Sequence, residues 1–202
     1  HRDLHSFPTR RSSDLGKSAT GRWVSPETGL SNPTVMACVS LIAESVGMLP
    51  LILYRRLPRG KERATGHPLY TLLHDLPNPE LTAFELAENM AGHLALWGNS
   101  YCEIEYDGAG RRRALWPLRP DRMTVDVNGQ NERIYVYTLP NGEPVPLPRW
   151  NVWHVRGWGT DAWIGQSRIG LAREAVGLAL ATEEYGGRFF GNDSRPGGIL
   201  TH

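Results

Sequence analysis

The sequence is short of the residue types that most directly announce a chemistry. Among its 202 residues are two cysteines, Cys38 and Cys102, far apart and in no CxxC pair. A zinc site or a disulfide framework is therefore not expected, and the default is a reduced, cytosolic chain. Lysine is almost missing, since 20 of the 22 basic residues are arginine. Those 22 face 21 Asp and Glu, for a formal charge of +1. That excludes the global basic field of many free nucleic-acid binders. No apolar run approaches the roughly 18–20 residues that span a bilayer. The opening stretch lacks the apolar segment of a secretory signal. No internal repeat is present. GxGxxG, GxSxG and HExxH are all absent, so dinucleotide, hydrolase and zinc-protease chemistries have no anchor.

What is there suffices for one domain, or one and a fraction, with 40% hydrophobic residues to build a core. Residues 16–30, rich in Gly, Ser, Thr and Pro, read as a flexible lead-in. Structure is expected from residue 31. Asn32 suits an N-cap and Pro33 the first helical position; Val35, Val39, Ile42 and Val46 then recur at helical spacing up to Pro50. Leu51–Tyr54 reads as a strand. HPLYTLLHDLPN reads as a short helix, and TAFELAENMAGHLALWG as a longer one with a Thr82–Glu85 capping box and Gly98 past its end. Strands follow in NSYCEIEYD, ALWPL, RMTVDV, RIYVYTL and NVWHVRG, with turns at Asp107-Gly108, Asn128-Gly129 and Asn141-Gly142. Ser167 can cap a long helix over about 168–190, and GGIL near the end reads as a strand beginning. The order predicts an α+β fold of helices and antiparallel strands with a long C-terminal helix.

Few residues offer a site. Gly16-Lys17-Ser18 resembles the end of a phosphate-binding loop, but Arg11 stands where its first glycine belongs. His67, His74, His93 and His154 are scattered without convergent partners and read as structural. Cys102 reads as a small buried hydrophobe. No catalytic, cofactor or metal residue is expected. Two basic clusters remain: Arg55, Arg56, Arg59, Lys61 and Arg63 in one loop, and Arg111, Arg112 and Arg113 beside a turn. Such arginines can contact phosphate, pair with acids across a subunit boundary, or stay solvated. Trp150, Trp153, Trp158 and Trp163 lie close together in sequence, which suits core packing or an interface.

Five stretches resemble, in the right order, the phage portal protein family: HPLYTLLHDLPNP (67–79) with Thr82, ALWGNSYCEIEYDGAGR (95–111), LWPLRPDRMTV (115–125), NVWHVRGWGTDAWIGQSRIGLA (151–172) and YGGRFFGNDSRPGGIL (185–200). Arg168 departs from the usual Pro after Gly-x-Ser, and Tyr106 from a common basic residue. The resemblance implies a structural subunit, not an enzyme, of a homo-oligomeric ring, usually a dodecamer, at the portal vertex of the virion, made in the bacterial host cytoplasm. Its implied partners are further copies of itself, the terminase large subunit, a head-tail adaptor, the major capsid protein, and double-stranded DNA passing without sequence specificity during genome packaging and ejection. Residues 31–202 would be the wing region, truncated before the stem and clip, so the isolated chain is not expected to close a ring. A free-standing nucleic-acid-binding module is the alternative, and an enzyme of unknown type a weaker one.

The first fifteen residues, HRDLHSFPTRRSSDL, have no counterpart in the portal pattern. Read as codons they reproduce a common short-read sequencing adapter. Residues 1–15 are therefore expected to be non-native and disordered. Without them the basic count is 22 − 3 = 19 and the acidic count 21 − 2 = 19, a formally neutral chain. The near-miss phosphate loop spans the join and loses its meaning.

Overall fold

A computed structural model describes residues 10–11, 16–130, 132–160 and 163–191. Helices and antiparallel strands alternate in blocks, which is the α+β organisation expected. The lead-in departs from expectation. Ser25 and Thr28 cap each other's backbone N–H groups at 3.1 and 2.7 Å over a short helix, α1 (Pro26–Leu30). Val24 is fully buried and packs with Leu96, Trp97 and Ile169. The Ala19 N–H donates to Glu174 at 2.8 Å, and Arg22 pairs with Glu184. Gly, Ser, Thr and Pro serve here as cap and tight-turn residues, not as marks of flexibility. Of the segment expected to be disordered, Arg10–Arg11 form a strand, β1, against Thr124 and Val125. An open sheet edge pairs with any extended backbone that reaches it. The rest of 1–15 lies outside the described residues.

Local signals decide the next helices. Asn32 Oδ1 accepts the N–H of Thr34 and of Val35, both at 3.1 Å, and α2 (Pro33–Gly47) begins at Pro33. A basic hairpin follows, β2 (Tyr54–Arg56) and β3 (Lys61–Arg63); Leu51–Leu53, expected to be extended strand, stay outside it. His67 Nδ1 caps α3 (Pro68–His74) through Leu69. The Thr82–Glu85 box caps α4 (Ala83–Trp97), which ends on Gly98 at φ 73°. Leu86 and Met90 of α4 bury against Leu72, Cys102 and Leu115. A leucine buried as fully as Leu86, at 2% exposure, contributes about 1.5–3 kcal/mol.

Two sheets carry the remaining core. In the first, β4 (Asn99–Tyr106) lies between β5 (Arg112–Leu118) and β9 (Val152–Arg156). In the second, β1, β6 (Met123–Val127), β7 (Arg133–Thr138) and β8 (Pro144–Pro148) follow in order. Tyr101, Leu118, Met123, Tyr135 and Val152 join the two sheets in one cluster. The strand β8, which carries Pro144, Pro146 and Pro148, is an addition to the strands read from the sequence. At a sheet edge, alternate prolines turn their missing N–H groups outward and blunt that edge. The long helix is divided in two: α5 (Arg168–Leu171) and α6 (Arg173–Gly191) are separated at Ala172. The expected strand at GGIL lies outside the described residues.

Candidate functional site

The turn at Gly98 is where distant parts of the chain meet. A Cβ on Gly98 would stand 2.1 Å from the Gln166 carbonyl oxygen, and one on Gly165 would stand 2.0 Å from the Gly98 oxygen. Gly157 approaches the same oxygen, to which its N–H donates at 2.8 Å. Only glycine allows two backbones to cross this closely. Asn99, fully buried, locks the crossing. Its Oδ1 accepts from the Gly165 N–H at 2.7 Å, and its Nδ2 donates to the Gly165 and Trp97 carbonyls at 2.8 and 3.2 Å. Ser167 completes the joint, donating to the Leu96 carbonyl at 2.6 Å and capping α5 through Gly170. Sequence reading placed Gly98-Asn99 and Gly165-x-Ser167 in separate motifs. It gave no sign that they touch.

The two arginine clusters occupy two separate hairpins. In β2–β3 the cross-strand partners are Tyr54 with Arg63, Arg55 with Glu62, and Arg56 with Lys61. Side chains alternate between faces along a strand. One face therefore holds Arg55, ion-paired to Glu62 at 3.5 Å. The other holds Arg56, Lys61 and Arg63 beside Tyr54, whose ring the Lys61 ammonium covers at 4.4 Å. Among the described residues no acid pairs with Arg56, Lys61, Arg63 or the turn residue Arg59. Like charges directly opposite, as Arg56 and Lys61 are, cost stability. An arrangement that keeps them exposed and unpaired is suited to an external anion. The second cluster is largely neutralised. Arg111 donates to Asp107 at 2.8 Å and Arg113 pairs with Glu105 at 3.5 Å, while Arg112 pairs with no described acid. The Arg111 backbone N–H, then its guanidinium, hold the Asp107 carboxyl below its ordinary range.

The four tryptophans do not form one patch. Trp153 packs on the cluster around Leu86 and Cys102, and Trp163 on the cluster around Tyr101, with the Arg133 guanidinium 4.3 Å from its ring. Trp150 and Trp158 are 68% and 58% exposed. Each of these two lies outside the core, Trp158 with the Arg168 guanidinium 5.9 Å from its ring.

The histidines and cysteines serve separate local roles. His74 contacts Asp75 at 2.8 Å and stacks on Tyr70. His93 meets Trp97 edge-on, and burial pushes its pKa down to about 4. His154 contacts Asn99 Oδ1 at 3.1 Å and the Tyr135 hydroxyl at 3.3 Å, and burial lowers its pKa to about 4 as well. Burial raises the Cys102 thiol to about 12, so no thiolate is available there near neutral pH. Among the described residues no three His, Cys, Asp or Glu gather as a metal site, and no helix is long and apolar enough to cross a membrane.

The chain is similar in sequence and fold to known proteins. The profile of the family described as "Phage portal protein" matches residues 33–202. The portal protein of Enterobacteria phage HK97 is 31% identical over 180 residues, which are 88% of this chain and 42% of that protein. The probable portal protein of Streptomyces phage phiC31 is 31% identical over 196 residues, 91% of this chain and 42% of its own. A chain from the neck of an empty gene transfer agent (GTA) particle, computed with C6 symmetry, superimposes with a TM-score of 0.73 at 28% identity, covering 87% of this chain and 50% of that one. The chain thus spans half or less of the length of these relatives.

Proposed function

The chain belongs to the phage portal protein family, and we propose that it is the wing-region part of a structural subunit in the ring at one vertex of a tailed-phage head. The match over residues 33–202, which takes in every described element from α2 to α6, carries this reading. On it, twelve copies close the ring, the terminase large subunit docks there while double-stranded DNA is packaged, and a head-tail adaptor replaces it before the genome leaves. The major capsid protein surrounds the ring. The geometry is consistent with such a part, a frame pinned by backbone crossings that presents exposed surfaces. The unpaired face of Arg56, Lys61 and Arg63 suits contact with phosphates without reading bases. The exposed Trp150 and Trp158 suit contacts between subunits.

The test is assembly. The full-length portal chain, expressed and imaged by electron microscopy, forms closed rings, and a tagged copy is found at a single vertex of the particles. Full-length chains that stay monomeric at every concentration, or a tag spread over the whole shell, would overturn the reading. The basic hairpin face favours one rival, a free-standing nucleic-acid-binding module. Three phosphate contacts would give the isolated chain a log–log salt slope of about −2.7. A slope that steep with tight binding supports the rival, whereas a portal wing binds DNA weakly on its own.

A further inference from the structure

The apolar face of α2 is only partly covered among the described residues: Val35 and Val39 pack on the cluster around Val24 and Trp97, and the second half of the stripe is open. Only Ala43 and Gly47 of this helix are buried. They dock it on α4, where a Cβ on Gly47 would meet Phe84 at 3.0 Å. The second half of the stripe that sequence periodicity marks as core-facing is left open: Ile42 is 51% and Val46 42% exposed, and Leu49 beyond the helix is 65% exposed. These side chains form one wall of a trough of about 1040 Å³. Ala87, Ala91 and Ala95 of α4 line its floor, and Ala175 and Ala179 of α6 its far wall. The alanines of α4 and α6 alternate with larger apolar residues, Met90, Leu94 and Val176, which gives the ridges and grooves on which a further helix can pack. Contiguous apolar surface on this scale is rarely left to solvent. The core residues Met90, Ile169 and Val176 reach the trough, so it resembles a domain core cut in half, as in permanent contacts.

We propose that an amphipathic helix from the part of the portal chain that follows residue 202 in the longer family members folds back and fills this trough. The proposal rests on the portal reading. This chain spans 42% of each phage relative and 50% of the neck chain, and the family match runs to residue 202. About half of a portal subunit therefore stands outside the trough-bearing segment. A segment of the same chain is present at high effective concentration whenever the subunit is folded, whereas a second copy must be recruited from solution.

Cys38 supplies the probe. It is exposed on α2 and lines the trough, while Cys102 is buried and unreactive. Maleimide labelling is followed in three samples: the 202-residue chain, the full-length portal chain held as a monomer by dilution, and the assembled ring. The expected result is fast labelling of the short chain and labelling roughly tenfold slower or more in both full-length samples, as for a thiol reached only by local opening. Protection that grows with the concentration of the short chain would assign the trough to a second copy. Protection in the ring but not in the full-length monomer would assign it to a neighbouring subunit. Either result, or fast labelling in all three samples, overturns the proposal. Ile42→Asp gives a second reading: it leaves the melting temperature of the short chain unchanged and lowers that of the full-length monomer, and equal effects on both would refute the helix. A ring in which Cys38 stays reactive sinks this proposal alone; a full-length chain that makes no ring sinks the portal reading, whatever Cys38 does.

Discussion

Asn99 can be tested against its own neighbour. Asn99→Ala removes a fully buried amide that serves both the N–H and the C=O of Gly165, the Trp97 carbonyl and the His154 imidazole. Each buried group left without a partner costs about 1–3 kcal/mol, and the losses overlap because the loop relaxes as a unit, so about 3–5 kcal/mol is expected in total. For a domain of this size, 1 kcal/mol shifts the melting temperature by about 2–4 °C, giving a fall of about 6–20 °C. Urea denaturation gives the free energy directly, with an unchanged slope showing that the unfolded state is not the cause. The control is Ser100→Ala. The Ser100 hydroxyl is equally buried but has no hydrogen-bond partner among the described residues, so its removal is neutral or stabilising. If Asn99→Ala costs under about 1 kcal/mol, or no more than Ser100→Ala, the crossing is held by packing and the hydrogen-bond argument is wrong.

The glycines of the crossing give a second contrast. Gly165→Ala places a Cβ against backbone on two sides and is expected to cost about 3 kcal/mol or more, while Gly187→Ala, on α6 with nothing within 4 Å, stabilises by about 0.5–1 kcal/mol; thermal melts of both check this. His93 and His154 are held neutral, with pKa values lowered to about 4 from an ordinary 6.5. The unfolded chain binds more protons between those values, so stability is fully present above about pH 6.5 and is lost as pH falls towards 4. Denaturation midpoints at several pH values show the loss, and His154→Gln flattens it. Reversing the charges of Arg56, Lys61 and Arg63 together leaves the fold intact, because all three are exposed, and removes whatever salt-dependent DNA binding the chain has, measured by fluorescence anisotropy.

The features legible in the sequence are those fixed within one turn of chain. Asn32, Thr82 with Glu85, and Gly98 work through bonds to residues two to four positions away, and their spacing alone announces them. The errors arise where the meaning of a residue depends on what lies beside it in space. Proline denies a central strand yet suits an edge, so β8 was hidden. Gly, Ser and Thr around residue 20 signal a turn, but only contact with α6 shows that the turn is packed. The periodicity of Val35, Val39, Ile42 and Val46 states that one face wants burial without stating what buries it. The four tryptophans, close in sequence, divide between core and surface because the turn before β9, β9 itself and the loop after it carry them to different environments. The meeting of Gly98 with Gly165 leaves no local trace, since a glycine needed for close approach looks in sequence like a glycine needed for a turn.

The two open surfaces differ in the kind of contact they can make, and on the portal reading that difference is what the part requires. The trough is apolar, so whatever fills it gains by excluding water and has no reason to leave. The face of Arg56, Lys61 and Arg63 is the reverse: exposed charges on flexible stems beside an open hollow of about 520 Å³ lined by Tyr54, Arg56, Gly60 and Lys61, screened within about 8 Å at physiological salt. Charges of that kind attract a phosphate backbone without fixing its register. A deep, well-fitted arginine pocket would bind DNA more tightly but would brake it as it moved. If a full-length ring carrying Arg56→Glu, Lys61→Glu and Arg63→Glu packages DNA at an unchanged rate and to an unchanged extent, the hairpin does not face the genome. Its cations then serve contacts between subunits, and the same variant should weaken the ring at low salt.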